Sequence, residues 1–228
     1  MELAQRTYPT TPVGATLVVP VGSVEQHGPH LPLTTDTTIA SAVASVVAAL
    51  PHAELAPPIE FGASGEHEGF AGTVSIGSAA LELVLVELGR SACRWARRLC
   101  LVNGHGGNAT ALVNAVRLLR YEGRDAAWLP CAVPGADAHA GRTETALMLH
   151  LRPESVDLAA AEPGNTEPIA GLLPRLRTGG MAAVTANGVL GDPTGASAVE
   201  GARLFADLCG GARAAYDRWQ PDDTGRLR

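Results

Sequence analysis

Leu99-Cys100-Leu101-Val102-Asn103-Gly104-His105-Gly106-Gly107-Asn108 sets the fold class. A short apolar run ends at Asn-Gly, and from Asn108 to Tyr121 an Ala/Leu-rich stretch follows. Strand, tight glycine loop and helix in that order form half of a βαβ unit. The pattern repeats on both sides. Upstream, Ala15–Val21 reads as a buried strand ending at Gly22, Thr37–Leu50 as a helix after Asp36, and Glu54–Ile59 as a weak strand. Ala79–Arg98 carries Leu81, Val84, Leu85 and Leu88 at helical spacing. Downstream come a strand at Ala126–Val133 and a helix at Thr143–Leu151, stopped before Pro153. A late strand at Ala182–Thr185 and a closing helix at Ala196–Arg218 complete the series. Such alternation predicts a mostly parallel α/β sheet with helices on both faces. One domain over 1–228 is expected. The Pro/Gly-rich stretches Glu162–Pro168 and Gly188–Gly195 read as loops within it, and 219–228 as a flexible tail.

Composition narrows the function. The 228 residues carry a formal net charge of -6, and the basic residues are scattered. Arg90–Arg98, the nearest thing to a basic cluster, reads as one helix face. A nucleic-acid surface is therefore disfavoured, since phosphates call for clustered Lys and Arg. No apolar run is long enough to span a bilayer, and the opening MELAQRTYPT has no apolar signal core. A cytoplasmic location is expected. Cys93, Cys100, Cys131 and Cys209 form no CxxC pair; the first three lie in apolar segments and read as small hydrophobes, and Cys209 precedes Gly210-Gly211 near a helix end.

Chemistry gathers where the strands end, which is where open α/β sheets bind ligands. The first strand runs into Gly22-Ser23-Val24-Glu25-Gln26-His27-Gly28-Pro29-His30, with Asp36 following before a helix. Glu25 and His27, two apart on extended backbone, present a carboxylate and an imidazole to one side. That pairing suits zinc, iron or manganese. Asp36 can bridge two ions with its two oxygens, and two ions would hold a bridging hydroxide and polarise a carbonyl. His105 lies between glycines at the third strand's end, where the Gly106 N–H could face an oxyanion. His139 sits beside a glycine turn and is the candidate proton shuttle. Glu144 opens the next helix. His67, flanked by Glu66 and Glu68, is on a loop beside Ser64 that could line the site.

Plainer readings exist for each residue alone. Asp36 and Thr35 could cap a helix, Glu144 could answer a helix dipole, and a lone His could be structural. His52 and His150 read as structural, and His30 as a loop former. The plainer readings weaken together, because three strand ends each bring acids or His beside Gly. GHGGN is not a P-loop, since it lacks GxxxxGK[ST]. Ser64 has no His placed by sequence to form a triad.

Three blocks occur in order: PVGSVEQHGPHLPLTTD (Pro20–Asp36), NGHGGN (Asn103–Asn108) and HAGRTET (His139–Thr145). Together they resemble the creatininase family. The resemblance implies a three-layer α/β/α sandwich, two divalent metal ions per subunit and hydrolysis of a C–N bond, usually by a homohexamer. It makes Glu25, His27, Asp36 and His105 metal ligands, with Asp36 bridging, and His139 the general acid/base. Creatininase uses a Glu at the position of Gly107, so the fifth ligand falls to Glu144. Creatininase also has a Trp just ahead of its catalytic His. Pro134-Gly135-Ala136-Asp137-Ala138 supplies none, which argues against creatinine as substrate.

GASGEHEGFAGTVSIG (Gly62–Gly77), GDPTGASAVEG (Gly191–Gly201) and Asp137–Leu149 resemble the family's peptidase branch of mycofactocin biosynthesis. This implies a modified precursor peptide as substrate, cut to release a product of its C-terminal Val-Tyr, with Ser64 and Gly106 near it. A small cyclic amide or a formamide as substrate, or a non-catalytic protein with a structural metal, are the other readings.

Overall fold

The apolar runs pair as a parallel four-stranded sheet in the order β2-β1-β3-β4. In this computed structural model, which describes residues 2–228, the strands are β1 (Thr16–Val21), β2 (Ala53–Leu55), β3 (Arg98–Asn103) and β4 (Ala126–Pro130). Every residue of β1 is buried. Helices cover both faces, so the strands need no polar alternation. Pro20 sits in this central strand without breaking the ladder. Its carbonyl accepts from the Ile59 N–H, on the side where β2 has already ended, so its missing N–H faces no strand partner.

Six helices follow in chain order: α1 (Thr35–Ala48), α2 (Gly77–Ala92), α3 (Ala109–Tyr121), α4 (Arg142–Leu151), α5 (Ile169–Gly179) and α6 (Ala198–Arg218). Alternate strand residues serve opposite faces. Leu17, Val19, Leu99 and Leu101 join Leu81 and Leu85 of α2 and Leu112 and Val116 of α3 in one core. Val18, Cys100, Val102 and Leu129 join Val43 and Val47 of α1 and Cys209 and Tyr216 of α6 in the other. Two sheet faces, each under its own helices, give the three layers. No helix among the described residues is long and apolar enough to cross a membrane.

Four segments depart from the sequence reading. α2 stops at Ala92, and Arg98 opens β3, so Arg90–Arg98 is not one helix face. The Ala15 carbonyl takes the Arg97 N–H, and this pairing ends the helical pattern before its propensity does. Ala182–Thr185 is not a strand: Met181–Ala183 form a 3-10 turn whose hydrogen bonds are spent locally, Thr185 N–H donating to Met181 O. α5 lies where no element was expected. The tail does not trail free. Trp128 N–H donates to Gly225 O, Leu227 N–H donates to Trp128 O, and Leu227 is 2% exposed. The open edge of β4 thus gains a short backbone partner.

Leu227→Ala should lower unfolding free energy by about 2–4 kcal/mol. Chemical denaturation checks this; an unchanged midpoint would show that the tail does not hold the edge.

Candidate metal centre

Each strand end delivers one part of the centre. Beyond β1 the chain brings Glu25 and His27; β3 runs into His105; the loop after β4 brings His139, and α4 brings Glu144 in its first turn. Asp36 comes from the first turn of α1. That turn approaches closely because position 104 is glycine: a Cβ there would lie 2.3 Å from the Asp36 carbonyl oxygen. Glu25, His27, Asp36, His105 and His139 are buried, and Glu144 is half-buried.

The ligand atoms form overlapping sets, each within 4.8 Å: Glu25, Asp36 and His105; His27, Asp36 and Glu144; Glu25, His27 and His139. Asp36 belongs to the first two, one oxygen in each direction. Oδ2 lies 3.4 Å from His105 Nδ1, while Oδ1 lies 3.2 Å from His27 Nε2. Ser23 Oγ donates to Asp36 Oδ2, which fixes the carboxylate plane. His105 Nδ1 is 3.2 Å from Glu25 Oε1, and its Nε2 donates to the Ala63 carbonyl at 3.1 Å. A ring held by a carbonyl at one nitrogen, with the other turned toward the ligand carboxylates, is oriented as metal-binding imidazoles are.

Position 107 cannot supply a carboxylate, and any side chain there would crowd the His105 ring, the Ala63 carbonyl and Glu66. Glu144 occupies the matching place from the other side, 3.9 Å from His27 Nε2. Its Oε2 accepts the Ala140 N–H at 2.6 Å. Ala140 is a non-glycine residue at φ 52. This uncommon left-handed turn, right after His139, aims its N–H at Glu144.

Charge is crowded here. Both oxygens of Glu25 are buried with no hydrogen-bond partner. Burial pushes its carboxyl up, but the positive His105, against Asp36, brings it down to about 2. Burial would lower His27, yet Asp36, Glu144 and Glu25 raise it to about 10. Glu144 is pushed up to about 7 by burial and by Asp36 and Glu25, against His27. His139 falls well below its usual value through burial and the neighbouring His27 and His67. Without a cation, carboxylates and imidazoles compete for protons. A divalent ion suits all of them at once, with acids ionised and imidazoles neutral. The orphaned Glu25 oxygens and the mixed N/O donors therefore fit zinc, iron or manganese.

The remaining sequence candidates fall into place unevenly. His67 is drawn in, its Nε2 3.4 Å from Glu25 Oε1, and its ring centroid 4.5 Å from that of His139. Gly106 lines the cavity above the centre, but Ser64 does not. Ser64 is fully buried behind His105 with its Oγ 3.5 Å from Nε2, so it touches the ligand ring and not a substrate. His30 is buried against Thr145 Oγ1 at 2.9 Å. Gln26 was missed, although it sits between two candidate ligands. The cavity has a volume of about 630 Å³. Asp36, His105, His139 and Glu144 form its floor, and Leu173, Leu176 and Arg177 of α5 with Met181 and Leu190 form its roof.

Fold and site together define an α/β protein with a carboxylate–imidazole metal centre at its strand ends. The family model described as creatinine amidohydrolase matches residues 4–215, and the chain belongs to the creatininase family, whose members are metal-dependent amidohydrolases. A "mycofactocin precursor peptide peptidase" of Mycolicibacterium smegmatis is 60% identical over 217 residues, covering 92% of this chain and 88% of the relative. One of Mycobacterium tuberculosis with the same description is 54% identical, covering 99% and 94%. A solved mutant creatininase superposes with a TM-score of 0.80 at 29% identity, over 96% of this chain and 98% of that one. Another, described as of Zn-Zn type, gives 0.79 at 29% identity over 96% and 98%.

Removing divalent metal with a chelator should lower the thermal midpoint, and zinc or manganese should restore it in proportion to free ion. Identical melting curves with and without chelator would deny the centre its cation.

Proposed function

We propose that this chain is a metal-dependent peptidase that cuts the modified mycofactocin precursor peptide, releasing the product of its C-terminal Val-Tyr. The observation that carries the chemistry is the pair of buried ligand sets joined at Asp36 beneath an open cavity. The substrate reading is supported by the descriptions of the relatives at 54–60% identity. Glu25, Asp36 and His105 would hold one divalent ion, and His27, Asp36 and Glu144 a second. Two ions held there would supply a Lewis acid for the carbonyl and would lower the pKa of an attacking water. The solved creatininases described with Zn-Zn and with Mn support that range of metals.

The chain's own groups handle the rest. His139 Nε2 donates to the Gln26 backbone carbonyl at 2.8 Å, which leaves Nδ1 facing the centre, 3.7 Å from Glu25 Oε1. A burial-lowered imidazole is neutral and ready to accept. His139 Nδ1 takes the proton of the attacking water and returns it to the departing amine. Gly106 lies at the cavity wall, where its N–H would meet the oxyanion of the reacting carbonyl. Leu173, Leu176 and Met181 give the roof an apolar surface that suits an apolar peptide end. The family resemblance also supports a homo-oligomer, a hexamer, and Leu83 and Val84 on the outer side of α2, both exposed, suit a subunit contact; the cytoplasm is the proposed location, resting on the MELAQRTYPT start without an apolar core.

His139→Ala should keep its metal while hydrolysis of the modified peptide falls by about 100-fold or more. Steady-state rates with elemental analysis check this, and unaltered turnover would remove His139 from the reaction. Asp36→Ala should lose bound metal from both sets, seen as a collapse in metal per chain. Full occupancy in that variant would mean that Asp36 is not shared. Creatinine, a formamide and the modified peptide assayed side by side test the substrate; turnover of creatinine alone would overturn the peptide reading.

A further inference from the structure

Gln26 is 5% exposed and meets four partners from four parts of the chain. Its Oε1 accepts the Gly28 N–H at 2.9 Å, and its Nε2 donates to the Gly188 carbonyl at 3.0 Å. These two contacts fix which end of the amide is oxygen. Turned over, the amide would face carbonyl with carbonyl and N–H with N–H. Gly188 reaches it only as glycine, with φ 80 and a Cβ position 1.8 Å from Oε1. One amide hydrogen remains. Two ring nitrogens lie within its reach, His67 Nδ1 at 3.0 Å and His139 Nε2 at 3.1 Å.

Proton counting decides between them. His139 Nε2 also faces the Gln26 backbone carbonyl, and a carbonyl only accepts. Nε2 of His139 therefore carries a hydrogen and cannot take another. The free amide hydrogen goes to His67 Nδ1, which must offer a lone pair. The His67 hydrogen then sits on Nε2, aimed at Glu25 Oε1.

We propose that Gln26 is a positioning residue that sets the same Nε2–H tautomer on two histidines, leaving His139 an acceptor at Nδ1 and turning the His67 hydrogen at Nε2 toward Glu25. His139 is thereby the ring open to the reacting groups. His67 instead steadies a ligand carboxylate, its Nε2 3.4 Å from Glu25 Oε1, and it ligates nothing. The inference extends the hydrolytic reading above, but its first test needs no substrate.

Histidine-selective ¹⁵N spectra of the zinc-loaded full chain report the protonated nitrogen of each ring. Signals are assigned by their loss in His67→Gln and His139→Gln. The expected pattern is N–H at Nε2 and an unprotonated Nδ1 in both rings. A hydrogen on His67 Nδ1, or a metal-shifted His67 Nε2, would overturn the proposal whatever the substrate proves to be. Gln26→Glu provides the second reading, because a carboxylate cannot donate to His67. The His67 hydrogen should move to Nδ1, with metal content kept, kcat down by about 10-fold or more and KM within about two-fold. A variant that keeps the original His67 tautomer would refute control by Gln26. If the spectra agree while no precursor peptide is cut, the tautomer assignment stands and the substrate reading fails.

Discussion

Both oxygens of Glu25 are buried without a hydrogen bond, and an ionised carboxyl so placed costs several kcal/mol unless positive charge answers it. The groups around it are arranged as that answer. His105, His67 and His139 each turn a ring nitrogen toward Oε1. Asp36 adds a second buried negative charge a few ångströms away, which deepens the need for a cation. The sheet makes this costly placement possible. β1 and β3 end side by side, Val21 opposite Asn103, so the residues just beyond them are forced into one volume. α1 is drawn down onto those ends because Gly104 leaves room for the Asp36 backbone.

What was legible in the sequence followed from this geometry. β1, β3 and β4 were readable from apolar runs because a strand covered on both faces has no polar residues to confuse it. Glu25, His27, Asp36 and His105 were readable because each stands a few residues past such a run or before the next helix. Glu144 was indicated by the family's motif blocks, and Ala140 explains how the chain aims at it. The failures have physical causes too. Local pattern carried α2 on to Arg98, whereas backbone pairing of Arg97 with Ala15 ended it earlier. α5 carries Ile169, Leu172, Leu173 and Leu176 at helical spacing, but Pro174 stands inside that pattern, and a proline there reads as a helix breaker. The tail after Pro221 is polar and short, and Leu227 alone gave no sign of its contact with β4.

Gln26 shows a different limit. Nothing in residue type separates a glutamine that spaces two ligands from one that organises them. Its importance lies in contacts with residues 67, 139 and 188, far apart in sequence. Hydrogen-bond directionality then converts those contacts into a statement about protons. Ser64 is the opposite case. It stood in a suggestive glycine-rich loop, yet packing turned it behind the His105 ring and away from the cavity.

The roof over the cavity comes from the chain between α4 and α6, which lends no atom to the ligand sets. It rests on the floor's loops at a few points: the Asp157 N–H donates to the His30 carbonyl, Phe70 packs with Leu172, Met181 and Val184, Leu190 pairs with His139, and Gly188 meets Gln26. On the proposed peptidase reading, most of the surface above the peptide and the ligands below it are written on separate stretches of the polypeptide. Descendants of such a scaffold can diversify residues 152–187 and explore new acyl groups while the inherited hydrolytic floor stays intact. Relatives that share the Glu25-Gln26-His27 and His105 blocks while acting on dissimilar amides are what this partition would produce.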